Sequence, residues 1–225
     1  HIANVCLSAK KDVRNAVQAA RKAQLAWAGK SAFNRSQIVY RIAEMLEARK
    51  AQFIEELQAL GQSKQSAESE VSMSIDRCVY YAGWADKLPY AFPHRNPKPI
   101  GVAGQIIPWN FPLLMAAWKL APALACGNTI VLKPAETTSL TALKLAELIQ
   151  DAELPNGVVN IVTGAGATGA AIVEHPDINK IAFTGSTGVG KYIQKATAGN
   201  GKKITLELGG KAANIIFADA AIDQA

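Results

Sequence analysis

Four segments of the 225-residue sequence set reactive or anion-binding side chains among glycines and prolines. In Ile107-Pro108-Trp109-Asn110-Phe111-Pro112, two prolines fix the backbone around one side-chain amide. Such an amide can donate to a developing oxyanion, or it can cap a helix that begins near Phe111. In Lys133-Pro134-Ala135-Glu136-Thr137-Thr138, the carboxylate suits ribose hydroxyls, and a solvated loop with one charge of each sign is the plainer alternative. The stretch Phe183-Thr184-Gly185-Ser186-Thr187-Gly188-Val189-Gly190-Lys191 joins an expected strand to an expected helix, whose first amides and dipole would face an anion. It approaches the phosphate-loop pattern GxxxxGK[ST], but Tyr192 stands where that pattern needs a magnesium-binding hydroxyl. In Thr205-Leu206-Glu207-Leu208-Gly209-Gly210-Lys211, a carboxylate between leucines can be desolvated into a general base, or can lie on the exposed side of an edge strand.

The elements that must position these segments follow from hydrophobic period. Before residue 97 the pattern is helical. Val13, Val17 and Ala20 recur within Lys11 to Trp27. A longer helix is expected after Asn34 as N-cap, with Ile38, Ile42, Met45, Leu46 and Ile54 on one side and Gly61 at its end. A third spans Ser66 to Ala85, and Pro89, Pro93, Pro97 and Pro99 then mark a linker. Beyond it the rhythm changes to short runs rich in Ile and Val. These are Ile100 to Ile107, Thr129 to Leu132, Val158 to Val162, Lys180 to Phe183, Ile204 to Leu206 and Asn214 to Phe217. Helix-length segments separate most of them: Phe111 to Ala125, Thr138 to Ala152, Ala167 to Glu174 and Gly188 to Ala198. Strand and helix alternating in this way predict an α/β fold, a doubly wound Rossmann-like parallel sheet with helices on both faces, preceded by an N-terminal helical segment. In such a sheet the four segments gather at the carboxyl ends of the strands.

Composition narrows the classes. With 49% hydrophobic and 19% charged residues the chain reads as an ordinary globular protein. The net charge of +6 comes from dispersed Lys and Arg without interleaved aromatics, which argues against nucleic-acid binding and for attraction of a small anion. The most apolar helix candidate, from Leu113 to Ala125, is interrupted by Lys119 and Pro122, so no membrane partner is expected. Cys6, Cys78 and Cys126 lack metal spacing and suggest a reducing, cytoplasmic setting, with small buried residues as their expected identity. Three scattered histidines give no metal constellation.

Taken together, IIPWNFP, KPAETT, FTGSTGVGK and LELGGK resemble, in order and spacing, the motif series of the aldehyde dehydrogenase superfamily. The resemblance runs on through APALACGNT and PNGVVNIVTG and covers about Asp12 to Ala225. It implies an NAD-dependent oxidation of an aldehyde to a carboxylic acid, with NAD preferred to NADP because Glu136 would repel a 2′-phosphate. By the same resemblance, Asn110 would donate to the oxygen of a thiohemiacetal, and Glu207 would be the general base. Lys133 and Glu136 would bind the adenosine ribose, and Gly185 and Ser186 would meet the pyrophosphate. Gly190 would let its helix pack closely. The backbone of Ile106, Ile107, Pro108 and Trp109, with Leu208 and Gly209, would line the cofactor groove. Lys119 matches a family lysine near the base, or is a plain helix-surface lysine.

The family's nucleophilic cysteine lies beyond the base, in a neighbouring catalytic domain, and no cysteine follows Glu207 here. The expectation is therefore one NAD-binding domain, with residues 1–97 helical and 98–225 Rossmann-like, lacking the catalytic domain and inactive alone. The opening at His1 fits a fragment, and the linker between Trp84 and Ile100 is shorter than the family's subunit-joining arm. Homo-oligomer formation stays open. A non-catalytic scaffold relative and a nucleotide triphosphatase are the alternatives.

Overall fold

The computed structural model describes residues 2–95, 97–210 and 217. It contains five parallel strands: β1 (Val102–Ile106), β2 (Thr129–Lys133), β3 (Val159–Ile161), β4 (Lys180–Gly185) and β5 (Lys203–Leu208). Their order across the sheet is β3-β2-β1-β4-β5. The chain thus runs outward from β1 through β2 to β3, then returns to the other side of β1 to lay down β4. Ile106 is in register with Lys133 on one side and Phe183 on the other, so the loops after β1, β2 and β4 leave the sheet at one level. The expected run from Asn214 to Phe217 lies outside the described residues except for Phe217 itself.

β1 and β2 are buried along their whole length, which is why they read as mostly apolar runs rather than as alternating ones, with Gln105, Thr129 and Lys133 as their buried polar members. Two cores result. One face is covered by α1 (Lys10–Gly29), α8 (Gly166–Glu174) and α9 (Thr187–Thr197), which bring Val17, Ile172 and Ile193 against Val102, Val131 and Ile181. The other is covered by α6 (Pro112–Ala125) and α7 (Ser139–Asp151), whose Leu120, Leu124 and Leu145 meet Ile130 and Leu132. The remaining helices, α2 (Ala32–Ala48), α3 (Lys50–Ala59) and α4 (Lys64–Trp84), stack outside α6 and extend that second core through Leu46, Phe53 and Val71.

Several boundaries differ from the sequence reading. Ser31, not Asn34, caps α2: its Oγ accepts from the backbone N–H of Asn34 at 3.1 Å, which places Asn34 inside the first turn. The long helix expected to end at Gly61 is interrupted at Arg49, and α3 carries it on. Gly61 then closes α3 at a φ of 98°, a conformation that a side chain would strain. Within the proline-rich linker, Leu88–Ala91 forms one helical turn, α5, with proline in its first turn where no N–H is needed. Cys78 is buried as expected, whereas Cys6 is exposed and Cys126 half-buried.

Candidate functional site

At the carboxyl end of the sheet, β1, β2 and β4 open into a groove of about 520 Å³. It sits where the strand order reverses, so the loops after β1 and β4 diverge to opposite faces and leave a crevice between them. Ile106, Ile107, Pro108 and Trp109 line it from the end of β1, with Lys133 and Glu136 on the β2 side and Gly185 and Ser186 on the β4 side. Eight residues singled out from separate loops are therefore brought together by topology. Val173, Val189 and Tyr192 add apolar lining to which the motif reading gave no role.

Lys133 is almost wholly buried and donates from Nζ to the carbonyl of Pro134 at 2.8 Å. Burial pushes its pKa down, and the Glu136 carboxylate 3.7 Å away pulls it back up. The Glu136 side chain is 62% exposed, on a single turn of 3-10 helix (Glu136–Thr138), so its oxygens stay open to a ligand while Lys133 steadies them from below. Across the groove, Ser186 caps α9, accepting from the N–H of Val189 at 3.4 Å. The preceding amides of the first turn have no intrahelical acceptor and, with the positive end of the helix dipole, suit an anion. A Cβ at Gly190 would stand 2.5 Å from Leu208 Cδ2, so the exposed leucine side chain would have to shift to admit one. The family-based expectation that Gly190 permits close packing thus has a partner, the edge strand β5. Tyr192 donates from its hydroxyl to Glu174 Oε1 at 2.7 Å, turned to α8 rather than to a phosphate-bound cation.

Asn110 sits exposed in the loop after β1 and lines neither this groove nor the neighbouring cavity. The helix-cap alternative for Asn110 fails: the N-cap of α6 is Phe111, in a left-handed conformation (φ 52°, ψ 55°) with no side-chain cap of its own.

Glu207 lies elsewhere. On β5, at the edge of the described sheet, it is exposed, so the desolvation expected from its leucine neighbours does not arise there. It lines a second cavity, about 460 Å³, on the α6 face, together with Lys119, Lys180, Gln105, Thr205 and Cys126. Lys119 is no plain surface lysine: burial lowers its pKa, with Glu207 opposing that shift and Lys180 adding to it. Burial lowers Lys180 as well, and its Nζ donates to Thr205 Oγ1 at 2.6 Å. Gln105 is buried, donates to the carbonyl of Lys119 at 2.8 Å and leaves its Oε1 without a partner among the described residues. Lys180 escaped the motif reading and Thr205, inside the fourth motif, was given no role there, although period-two alternation puts Lys180 and Ala182 on the face they share with Thr205 and Glu207. Leu208 ends that strand, Gly209 follows it, and neither lines the groove.

The sequence matches the model of the aldehyde dehydrogenase family over residues 1–225. Aldehyde dehydrogenase of Davidiella tassiana is 46% identical over the whole chain and 48% of its own length. The mitochondrial aldehyde dehydrogenase of Rattus norvegicus is 49% identical over the whole chain and 46% of its own. The chain therefore spans about half the length of the curated relatives it matches. Among solved structures, the NAD+ complex of aldehyde dehydrogenase from Bacillus cereus superimposes with a TM-score of 0.87 at 43% identity, covering 98% of this chain and 48% of that one. Motif order, sheet topology and similarity along the full sequence agree: the chain belongs to the aldehyde dehydrogenase family.

Proposed function

We propose that this chain is the cofactor-binding part of an NAD-dependent enzyme that oxidises an aldehyde to a carboxylic acid. The observation that carries the reading is the groove at the strand-order reversal, with the Lys133–Glu136 pair on one side and the capped N-terminus of α9 on the other. Its donor set fits a dinucleotide. Unpaired helix amides suit a pyrophosphate, an exposed carboxylate suits ribose hydroxyls, and Val173, Val189 and Tyr192 suit a purine. When bound, the dinucleotide supplies the hydride acceptor. Glu136 and Lys133 orient the ribose, Gly185 and Ser186 approach the pyrophosphate, and the Ile106–Trp109 backbone holds the remaining wall. Leu208 contributes by packing on Gly190, with Gly209 next to it.

Asn110 is assigned the donation to the substrate oxyanion and Glu207 the general base, with Lys119 and Lys180 as its cationic neighbours. No cysteine of this chain suits the nucleophile. Burial pushes the Cys78 thiol up to about 12, Cys126 is raised by burial against the pull of Arg35, and Cys6 is exposed beside β3. Residues 1–97 serve as a helical support for the 98–225 sheet, and the 225 residues alone are expected to bind cofactor without turning over aldehyde. No helix among the described residues is long and apolar enough to cross a membrane.

Calorimetric titration with NAD, NADP and Mg-ATP tests the reading. Saturable NAD binding, weakened roughly tenfold by Glu136→Ala or Ser186→Ala, is expected, since each removes a hydrogen bond to or from a charged group. A folded chain that binds no NAD turns the reading towards a non-catalytic scaffold, and magnesium-dependent ATP binding turns it towards a triphosphatase.

A further inference from the structure

Glu70 is an acid in the wrong place for a solvated residue. It lies within α4 on the stripe formed by Ala67, Val71 and Cys78, and it is fully buried. Its Oε1 accepts from the backbone N–H of Leu113 at 2.8 Å and of Leu114 at 3.2 Å. Its Oε2 accepts from Gln62 Nε2 at 2.7 Å. Leu113 and Leu114 belong to the first turn of α6, where Phe111 offers no side-chain cap and Pro112 has no N–H. Without Glu70 these two buried amides would have no acceptor in their own helix. The cost of burying the carboxylate is offset by three N–H donors and the positive end of the α6 dipole.

Position gives this cap its purpose. The Ile107–Phe111 loop, exposed from Trp109 onward, has two anchors. One is the end of β1, where the N–H of Ile107 donates to the carbonyl of Lys133 at 3.1 Å. The other is the first turn of α6, and Glu70 ties that turn to a helix remote in sequence. We infer that Glu70 is a positioning residue: held in α4, it fixes the start of α6 and so the loop that presents Trp109 to the groove and carries Asn110. The loop's purpose rests on the proposed function, whereas the cap itself does not.

The test uses the 225-residue chain in nitrogen-15 NMR, with NAD as the probe in parallel calorimetry. Glu70→Ala is expected to shift the Asn110 side-chain amide and Trp109 indole resonances and to weaken NAD binding about fivefold. It should also speed exchange of the Leu113 and Leu114 amides about tenfold, the usual scale for a lost cap. Glu70→Gln keeps an acceptor and is expected to restore all of these to within about twofold of wild type. A merely structural acid would lower stability in Glu70→Ala and leave the Asn110 and Trp109 signals in place, and that result overturns the inference. If Glu70→Ala does not fold, wild type and Glu70→Gln still decide: Leu113 and Leu114 amides exchanging as fast as the exposed Asn110 amide overturn it. A wild-type chain that binds no NAD refutes the proposed function, but the resonance and exchange criteria for Glu70 still apply.

Discussion

On the α9 face of the sheet, the groove takes its walls from β1, β2, β4, α8 and α9, all within the described residues. On the α6 face, the cavity that holds Glu207 is walled by α6 and β1 but runs out along β5, where Glu207 and Leu208 are exposed. Both regions carry motif residues and a lysine whose pKa burial has lowered, yet they differ in completeness. Groups donated by loops at a strand-order reversal are assembled by the sheet itself. A carboxylate on an edge strand takes its dielectric surroundings from whatever covers that edge.

The largest expected effect separates an inner strand from the edge. Ile181→Ala, in the wholly buried core of β4, should lower the unfolding free energy in urea by about 3 kcal/mol. Ile204→Ala, on exposed β5, should lower it by less than about 1 kcal/mol. Equal losses would mean that the two strands share one environment. Next in size, Glu136→Ala should weaken NAD binding about tenfold and narrow the discrimination against NADP. Glu207→Gln, in the other cavity, should stay within about twofold of wild type by the same calorimetry. A comparable loss from both variants would erase the distinction between groove and cavity.

A smaller effect concerns pH. Lys119 and Lys133 have folded-state pKa values below the ordinary lysine value because burial disfavours the ammonium. As pH rises towards 10.5, the folded chain releases these protons before the unfolded chain does, so stability is gained in that window. Lys119→Met and Lys133→Met should accordingly be more stable relative to wild type at pH 8 than at pH 10, as read from urea transitions. A difference that does not shrink with pH would place both ammonium groups in water. Cys78 cancels in this comparison, being present in every variant. Its own raised pKa of about 12 acts in the opposite sense, because above pH 9 the unfolded thiol ionises first. The smallest effect is kinetic. A maleimide should label Cys6 fast, Cys126 slowly and Cys78 only on unfolding, and rapid labelling of Cys78 in the folded chain would contradict its burial.

Much of the molecule was legible in the residues. The short Ile- and Val-rich runs mark β1 to β5, most plainly at β1 and β2, where a strand covered on both faces needs apolar side chains in both directions. Helix limits were less legible. Ser31 and Asn34 are both good caps, and only the backbone turn at Ser31 chooses between them. Glu70 had a faint signal, an acid on an apolar helical stripe, but the stripe cannot say which helix end the carboxylate will meet. Likewise Cys126 and Lys119 lie in a segment that alternates too weakly to assign a face. Their half-burial follows from where α6 packs between the sheet and α4.

The sequence by itself determined the family, the parallel α/β architecture and the set of groups proposed to meet a dinucleotide. Each of these is encoded locally, in hydrophobic period, in turn chemistry and in motif order. Only the tertiary structure decided that Lys133, Glu136, Ser186 and Trp109 share one groove while Glu207 lies in another cavity with Lys119 and Lys180. Only there, too, does Glu70 become the cap of α6. These are pairings between residues far apart in the chain. Their distances are fixed by strand order and helix packing, which no local pattern contains.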